Sequence, residues 1–190
     1  MSVGPASAVV LAGGASRRMG VCKALVVWEG GTCVGRLVRR LAEAGCAPVV
    51  VVTGAFDFEP PAPAVRAHAD AWTLGMRESL RVGLRAVPDD RPCLVTHVDR
   101  PGVAAETLRA VREAGPTRAA SVVPYYLGEP GHPVRISPAA RLRLLEPDDQ
   151  SLREVLVSLP EVSRLDVDDP AVLQNLNTPA DLRPAERSET

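Results

Sequence analysis

Residues 11–23 read Leu11-Ala12-Gly13-Gly14-Ala15-Ser16-Arg17-Arg18-Met19-Gly20-Val21-Cys22-Lys23, directly after the apolar run Ala8-Val9-Val10. A short buried strand here gives way to a loop with two adjacent glycines, a hydroxyl, two arginines, a third glycine and a lysine. Such a loop offers free backbone N–H groups and positive charge to a polyphosphate. The spacing excludes two familiar phosphate loops. A Walker loop needs a lysine directly after its last glycine, but Lys23 lies three residues past Gly20. A dinucleotide fingerprint needs Gly-x-Gly, but Gly13 and Gly14 are adjacent.

Outward from this loop, short apolar runs alternate with helical periodicity. Ala8–Leu11 reads as a strand, and Thr32–Ala44 as a helix with Val34, Leu37, Val38, Leu41 and Ala42 on one face and Gly45 ending it. Pro48–Thr53 carries four consecutive valines, the pattern of a strand buried on both faces of a parallel sheet. Val65–His68 is a candidate short strand after the proline-rich loop Phe56–Pro63. Leu74–Val87 reads as a helix, Pro92–His97 as a strand, Pro101–Ala114 as a helix, Ala119–Tyr125 as a strand and Leu127–Pro133 as a loop. Leu152–Leu159 is helical and Val162–Val167 a late strand.

This alternation predicts an α/β fold, a three-layer α/β/α sandwich around a mainly parallel sheet. In such sheets the ligand sits at the carboxyl ends of the strands, near a switch in strand order. The first strand carries the glycine-rich loop to that edge, and the strand ending near His97 carries Asp99 to the same edge. The two features should therefore face one site. His97 and Asp99, two residues apart, would share one face if the strand ran through both. A His/Asp metal site is then conceivable, with a packing or positioning role for His97 as the favoured reading. Arg100 is read either as an acceptor contact or as a solvated side chain.

Composition sets the outer limits. Forty-six per cent of residues are apolar, enough for a folded core, and only 3% are aromatic, so that core is built from Val, Leu and Ala. With no composition shift or repeat, the expectation is one domain over 1–190, with a core at 8–182 and a polar tail at 184–190. The net charge of −1 speaks against a dedicated nucleic-acid binder. No segment reads as a signal peptide, and no apolar run approaches the roughly 20 residues of a membrane helix. A cytoplasmic protein without a membrane partner is expected. Cys22, Cys33, Cys46 and Cys93 form no Cys-x-x-Cys pair and read as reduced, structural cysteines.

Four separated segments agree on a family: residues 11–23, Trp72-Thr73-Leu74-Gly75-Met76-Arg77-Glu78-Ser79-Leu80, Thr96–Pro101, and the pair Gly131-His132-Pro133-Val134 with Asn175–Leu182. In this order they resemble the MobA-like nucleotidyltransferases, which include the molybdenum cofactor cytidylyltransferases and guanylyltransferases. The resemblance spans residues 8–182 and implies a Rossmann-like nucleotidyltransferase fold. It also implies transfer of an NMP from an NTP, CTP or GTP, to a phosphomonoester with release of pyrophosphate. Arg18, Lys23 and Asp99 would then be catalytic. Leu11, Ala12, Gly13, Gly14, Ala15, Ser16, Asp70, Gly75 and Ser79 would bind the nucleotide, and Gly131 and His132 the acceptor.

By the same resemblance Asp99 and Asn177 would hold Mg²⁺, a hard cation that takes few protein oxygens and completes its shell with phosphate and water. The residues around Asn177 also read as a turn and a helix start, with Thr178 as cap and Pro179 at the first helical position. The implied acceptor is of molybdopterin type, with a molybdoenzyme or its chaperone as a further partner. Two clues to the base point in opposite directions. The Ala12-Gly13-Gly14 loop leans to guanylyl transfer, whereas Gly131–Val134 and the Trp72–Met76 segment lean to cytidylyl transfer, the favoured reading. Transfer to a sugar or alcohol phosphate, and a non-catalytic nucleotide- or cofactor-binding accessory protein, stand as alternatives. An intact Lys23 and Asp99 speak against the last.

Overall fold

The computed structural model describes residues 6–17, 19–88, 90–115 and 120–182. β1 (Ala6–Leu11) is buried at every position. Ala8 and Val10 face one hydrophobic cluster, and Val9 and Leu11 the other, as the two-residue period of a strand requires. A two-stranded hairpin follows, β2 (Val27–Trp28) with β3 (Gly31–Thr32). It turns on Glu29 and Gly30, whose φ values of 46° and 80° are those of a type I′ turn. α1 (Cys33–Glu43) starts at Thr32, whose hydroxyl accepts from the Gly35 amide at 3.1 Å. β4 (Cys46–Thr53) and β5 (Val65–His68) come next.

α2 (Met76–Arg85) and β6 (Cys93–His97) precede α3 (Ala105–Glu113) and β7 (Ser121–Tyr126). The chain closes with β8 (Glu129–Pro130), β9 (Val134–Ile136), α4 (Pro138–Leu145), α5 (Leu152–Ser158) and β10 (Val162–Asp166). The main sheet has eight strands in the order β10-β7-β9-β6-β1-β4-β5, with β8 paired to β7. β1 runs parallel to both β4 and β6, β4 to β5, and β7 to β10, whereas β9 is antiparallel to β6 and β7.

Two clusters of buried side chains sandwich the sheet. α1 and α3 contribute Leu37, Leu41 and Leu108 to one face, and α2, α4 and α5 contribute Leu84, Leu144 and Val155 to the other. This is the expected α/β/α sandwich with a mainly parallel sheet. β1 lies where the chain has wound outward in both directions, through β4 on one side and β6 on the other, which is the switch point of such a sheet. No helix among the described residues is long and apolar enough to cross a membrane.

Several boundaries differ from the sequence reading, each for a stated reason. α2 begins at Met76 because Gly75, at φ 109°, breaks the chain after a separate 3₁₀ turn over Trp72–Leu74. α3 begins at Ala105, not Pro101. Asp169 accepts from the Ala104 amide at 3.0 Å and from the Thr107 hydroxyl at 2.7 Å, capping the helix there. Arg40 takes the Pro101 and Val103 carbonyls, both at 2.8 Å, and so holds those residues outside the helix.

The segment read as a loop over Leu127–Pro133 contains β8, formed by a second positive-φ turn at Leu127 (49°) and Gly128 (86°). β9 and α4 have no counterpart among the elements expected from the sequence. Three residues are too few to show periodicity, although Ser137, which caps the Ala140 amide, and Pro138 after it carried the helix signal. The tail at 184–190 lies outside the described residues.

One glycine shows how closely helix and sheet approach. A Cβ on Gly83 in α2 would lie 2.5 Å from a Val9 methyl and 2.8 Å from a Val52 methyl. Gly83→Ala should therefore lower stability by about 1–3 kcal/mol despite the better helix propensity of alanine. Chemical denaturation would read this as a lower midpoint at unchanged slope.

Candidate nucleotide and acceptor site

The glycine-rich loop leaves β1 at the carboxyl edge of the sheet and is pinned by its backbone. The Ala12 amide donates to the Val52 carbonyl at 2.9 Å, and the Gly13 carbonyl accepts from Ala55 at 3.0 Å. Gly13 sits so close to α2 that a Cβ there would lie 3.1 Å from the Ser79 hydroxyl. A Cβ on Gly14 would meet nothing within 4 Å, so this part of the loop opens on free space. Ser16, at φ 47°, turns the chain back. Its carbonyl accepts from the Met19 and Gly20 amides, and its hydroxyl accepts from the Lys23 amide at 3.4 Å.

That turn delivers Lys23 to two residues far away in sequence. Its ammonium donates to Asn177 Oδ1 at 2.8 Å and lies 3.6 Å from Asp99 Oδ2. Asp99 follows β6 by two residues, in a turn. Its carbonyl accepts from the Leu176 amide at 2.8 Å, which ties the two loops together. Asp181 in turn accepts from the Asn177 and Thr178 amides at 2.7 and 2.8 Å. These bonds hold its carboxyl below the usual carboxylate range.

A cavity of about 410 Å³ opens over the loop. Leu11, Ala12, Gly13, Gly14, Ala15, Ser16, Lys23, Gly75, Ser79 and Asp99 all line it, from five separate stretches of chain. Trp72, Met76 and Arg17 line it as well. Trp72 lay in a segment singled out in the sequence but without a role of its own, and in so aromatic-poor a chain that was the available signal. Asp70 does not line the cavity. Its carboxylate is 98% exposed and 3.7 Å from His68 Nε2, because the chain past β5 carries it outward. Arg18 lies outside the described residues.

A second cavity of about 730 Å³ adjoins the first and shares Leu11, Met76 and His97 with it. Gly131 and His132 line this second space, together with Arg77 from the Trp72–Leu80 segment and with Tyr125 and Arg153, on which no sequence motif falls. Its remaining wall is largely aliphatic, from Leu80, Val123, Val134, Leu152 and Leu156. Gly131 is required at its place, since a Cβ would sit 2.7 Å from the Val172 carbonyl oxygen.

β6 ends at His97, so His97 and Asp99 do not share a strand face as the spacing suggested. The His97 ring packs edge-on against His132 instead, centroids 4.9 Å apart at 84°. Burial pushes both imidazoles down, His132 to about 3, and the nearby Asp99 does not offset this for His97. Both rings are therefore uncharged at neutral pH. Arg100 is half-buried and lines neither cavity: its guanidinium donates to the Val172 carbonyl.

Among the described residues no three His, Cys, Asp or Glu side chains come together to hold a metal. A divalent cation held mainly by phosphate oxygens fits better. Asp99 Oδ1 is buried and accepts no hydrogen bond among the described residues, and Asn177 Oδ1 accepts from the ammonium that also attracts Asp99, although Asn177 lines neither cavity. One carboxylate at the cavity and one amide oxygen reached through Lys23 suit a hard cation that keeps most of its shell for ligand and water.

Residues 8–162 match the model of the MobA-like NTP transferase domain. Across 192 residues the chain is 23% identical to the molybdenum cofactor cytidylyltransferase of Escherichia coli K12, covering 96% of each protein. It is 33% identical over 183 residues to a probable molybdenum cofactor guanylyltransferase of Mycobacterium marinum, covering 92% of this chain and 90% of that one. Among solved structures, Rv0371c from Mycobacterium tuberculosis H37Rv superposes with a TM-score of 0.75 at 26% identity, over 95% of this chain and 96% of that one.

Proposed function

The chain belongs to the MobA-like NTP transferase family, and from that premise we propose that it transfers a cytidylyl group from CTP to the phosphate of a molybdopterin-type acceptor. It is a nucleotidyltransferase; the base and the acceptor are the proposal. The meeting of Lys23 with Asp99 and Asn177 beside the cavity over the glycine-rich loop, which adjoins a larger, mostly aliphatic one, carries this reading.

In the reaction an oxygen of the acceptor phosphate attacks the α-phosphorus. A new P–O bond forms, and the bond to the bridging oxygen breaks, with its electron pair leaving on pyrophosphate. Both partners are anions, so the protein's work is positioning and charge neutralisation. The Gly14 and Ala15 amides make no backbone hydrogen bond among the described residues, and at the cavity wall they would be free to meet the phosphates. Lys23 offsets the charge that grows on the leaving pyrophosphate, and Arg17 and Arg18 add to the positive field. Asp99 and Asn177 would hold Mg²⁺, which supplies a Lewis acid for the phosphate oxygens. Gly75 and Ser79 close the nucleotide side, and His97, shared by both cavities, borders the space where the two substrates meet.

The Gly131–Val134 segment and the full-length likeness to a cytidylyltransferase support cytidylyl transfer. The Ala12-Gly13-Gly14 loop and the higher identity to a probable guanylyltransferase support guanylyl transfer as the second reading. A molybdoenzyme or its chaperone would then take up the product. Purified protein with Mg²⁺ and molybdopterin should release pyrophosphate from CTP and not from GTP. Release from GTP alone would exchange the two readings. Release only with sugar phosphates would discard the molybdopterin acceptor.

A further inference from the structure

His132 is held more firmly than an ordinary loop residue. Its amide donates to the Val172 carbonyl at 3.0 Å, its Nδ1 lies 3.4 Å from the Val95 carbonyl, and its ring packs on His97. The Val172 carbonyl also accepts from Arg100, so the support behind His132 is itself fixed. A carbonyl oxygen can only accept, so Nδ1 carries the proton. In an uncharged imidazole Nε2 is then a bare acceptor. No hydrogen bond to Nε2 is formed among the described residues, and His132 lines the second cavity. Burial keeps the ring uncharged, so it does not switch to a donor near neutral pH.

Resting on the acceptor reading above, we infer that His132 is a specificity-determining residue. Its Nε2 accepts a hydrogen bond from an N–H on a flat, uncharged heterocycle that forms the body of the phosphomonoester acceptor. The aliphatic walls at Leu80, Val123 and Leu156 suit the faces of such a ring, and His132 reads its edge. A polar site built to meet a donor rejects an analogue that lacks one, because the buried acceptor is then left unpaired.

Equilibrium dialysis with two bicyclic probes tests this without turnover. Pterin carries N–H donors, and 1,3-dimethyllumazine has a similar bicyclic ring system and none. The wild-type protein should bind pterin about tenfold or more tightly than dimethyllumazine. His132→Phe should abolish that preference, and His132→Gln, which keeps an acceptor oxygen, should retain part of it. Retained CTP binding in the first cavity checks that His132→Phe is folded. If it is not, His132→Met against His132→Gln makes the same comparison.

Equal binding of the probes by wild type, no binding of either, or an undiminished preference in the variants without an acceptor would overturn the inference. The probes bear no phosphate, so the two readings fail separately. Lost pyrophosphate release with the preference intact overturns the proposed reaction alone. Intact release without the preference overturns the role of His132 alone.

Discussion

Lys23→Ala is expected to lower kcat/KM by roughly 30- to 1,000-fold, a loss of about 2–4 kcal/mol of transition-state stabilisation. The size follows from where the ammonium sits. It lines the cavity over the glycine-rich loop, and its side chain is only 15% exposed, so water screens its charge poorly from a triphosphate bound as proposed. The same group bonds Asn177 at 2.8 Å and attracts Asp99, so its removal also loosens the two loops around it. That second effect is small, about 1 kcal/mol, the usual value of a partly exposed charged contact. Kinetics and thermal unfolding together separate the roles. A large fall in kcat with a slight fall in Tm supports charge neutralisation, whereas a change in Tm alone would make Lys23 a structural lysine. Lys23→Arg should restore little activity, since a planar fork does not replace a compact ammonium between two oxygens.

Asp99→Ala should cost more turnover and less stability, roughly 10³-fold or about 4 kcal/mol of barrier. Its carbonyl, not its carboxylate, accepts from the Leu176 amide, so the link between the two loops survives the substitution. One carboxylate oxygen has no hydrogen-bond partner among the described residues, and removing an unsatisfied buried acceptor relieves a desolvation cost. The variant should thus melt within a few degrees of wild type. Pyrophosphate release followed across a Mg²⁺ series is the deciding measurement. Asp99→Asn keeps the shape and loses the charge, and should need far more metal for any residual rate. Unchanged activity and metal dependence in Asp99→Ala would remove this residue from the site.

Much of this protein was legible in the chain itself, wherever one property was repeated locally. Four valines over residues 49–52 wrote a strand buried on both faces, and the leucines of α1 wrote its inward stripe. Loop 11–23 was legible because glycines, hydroxyl and cations crowd into a dozen residues after such a strand. Elements shorter than one period were not legible. β9 has three residues, and the hairpins at Glu29-Gly30 and Leu127-Gly128 lack the Asn-Gly or Asp-Gly pair that signals their turn. Boundaries fixed from afar were hidden as well, since Arg40 and Asp169 together decide where α3 begins.

The candidate site divides along the same line. The sequence by itself determined the α/β alternation, the glycine- and cation-rich loop that leaves the first strand at residues 11–23, and that Asp99 should come to the same sheet edge. Those follow from hydrophobic periodicity and the switch-point rule, which act over neighbouring residues and strands. Only the tertiary structure decided that the Lys23 ammonium stands between Asp99 and Asn177, 154 residues from the latter. It alone turned His97 toward His132 and carried Asp70 out to solvent. A side chain's partner depends on where whole loops come to rest once the sheet has chosen its strand order, and no local pattern of residues encodes that choice.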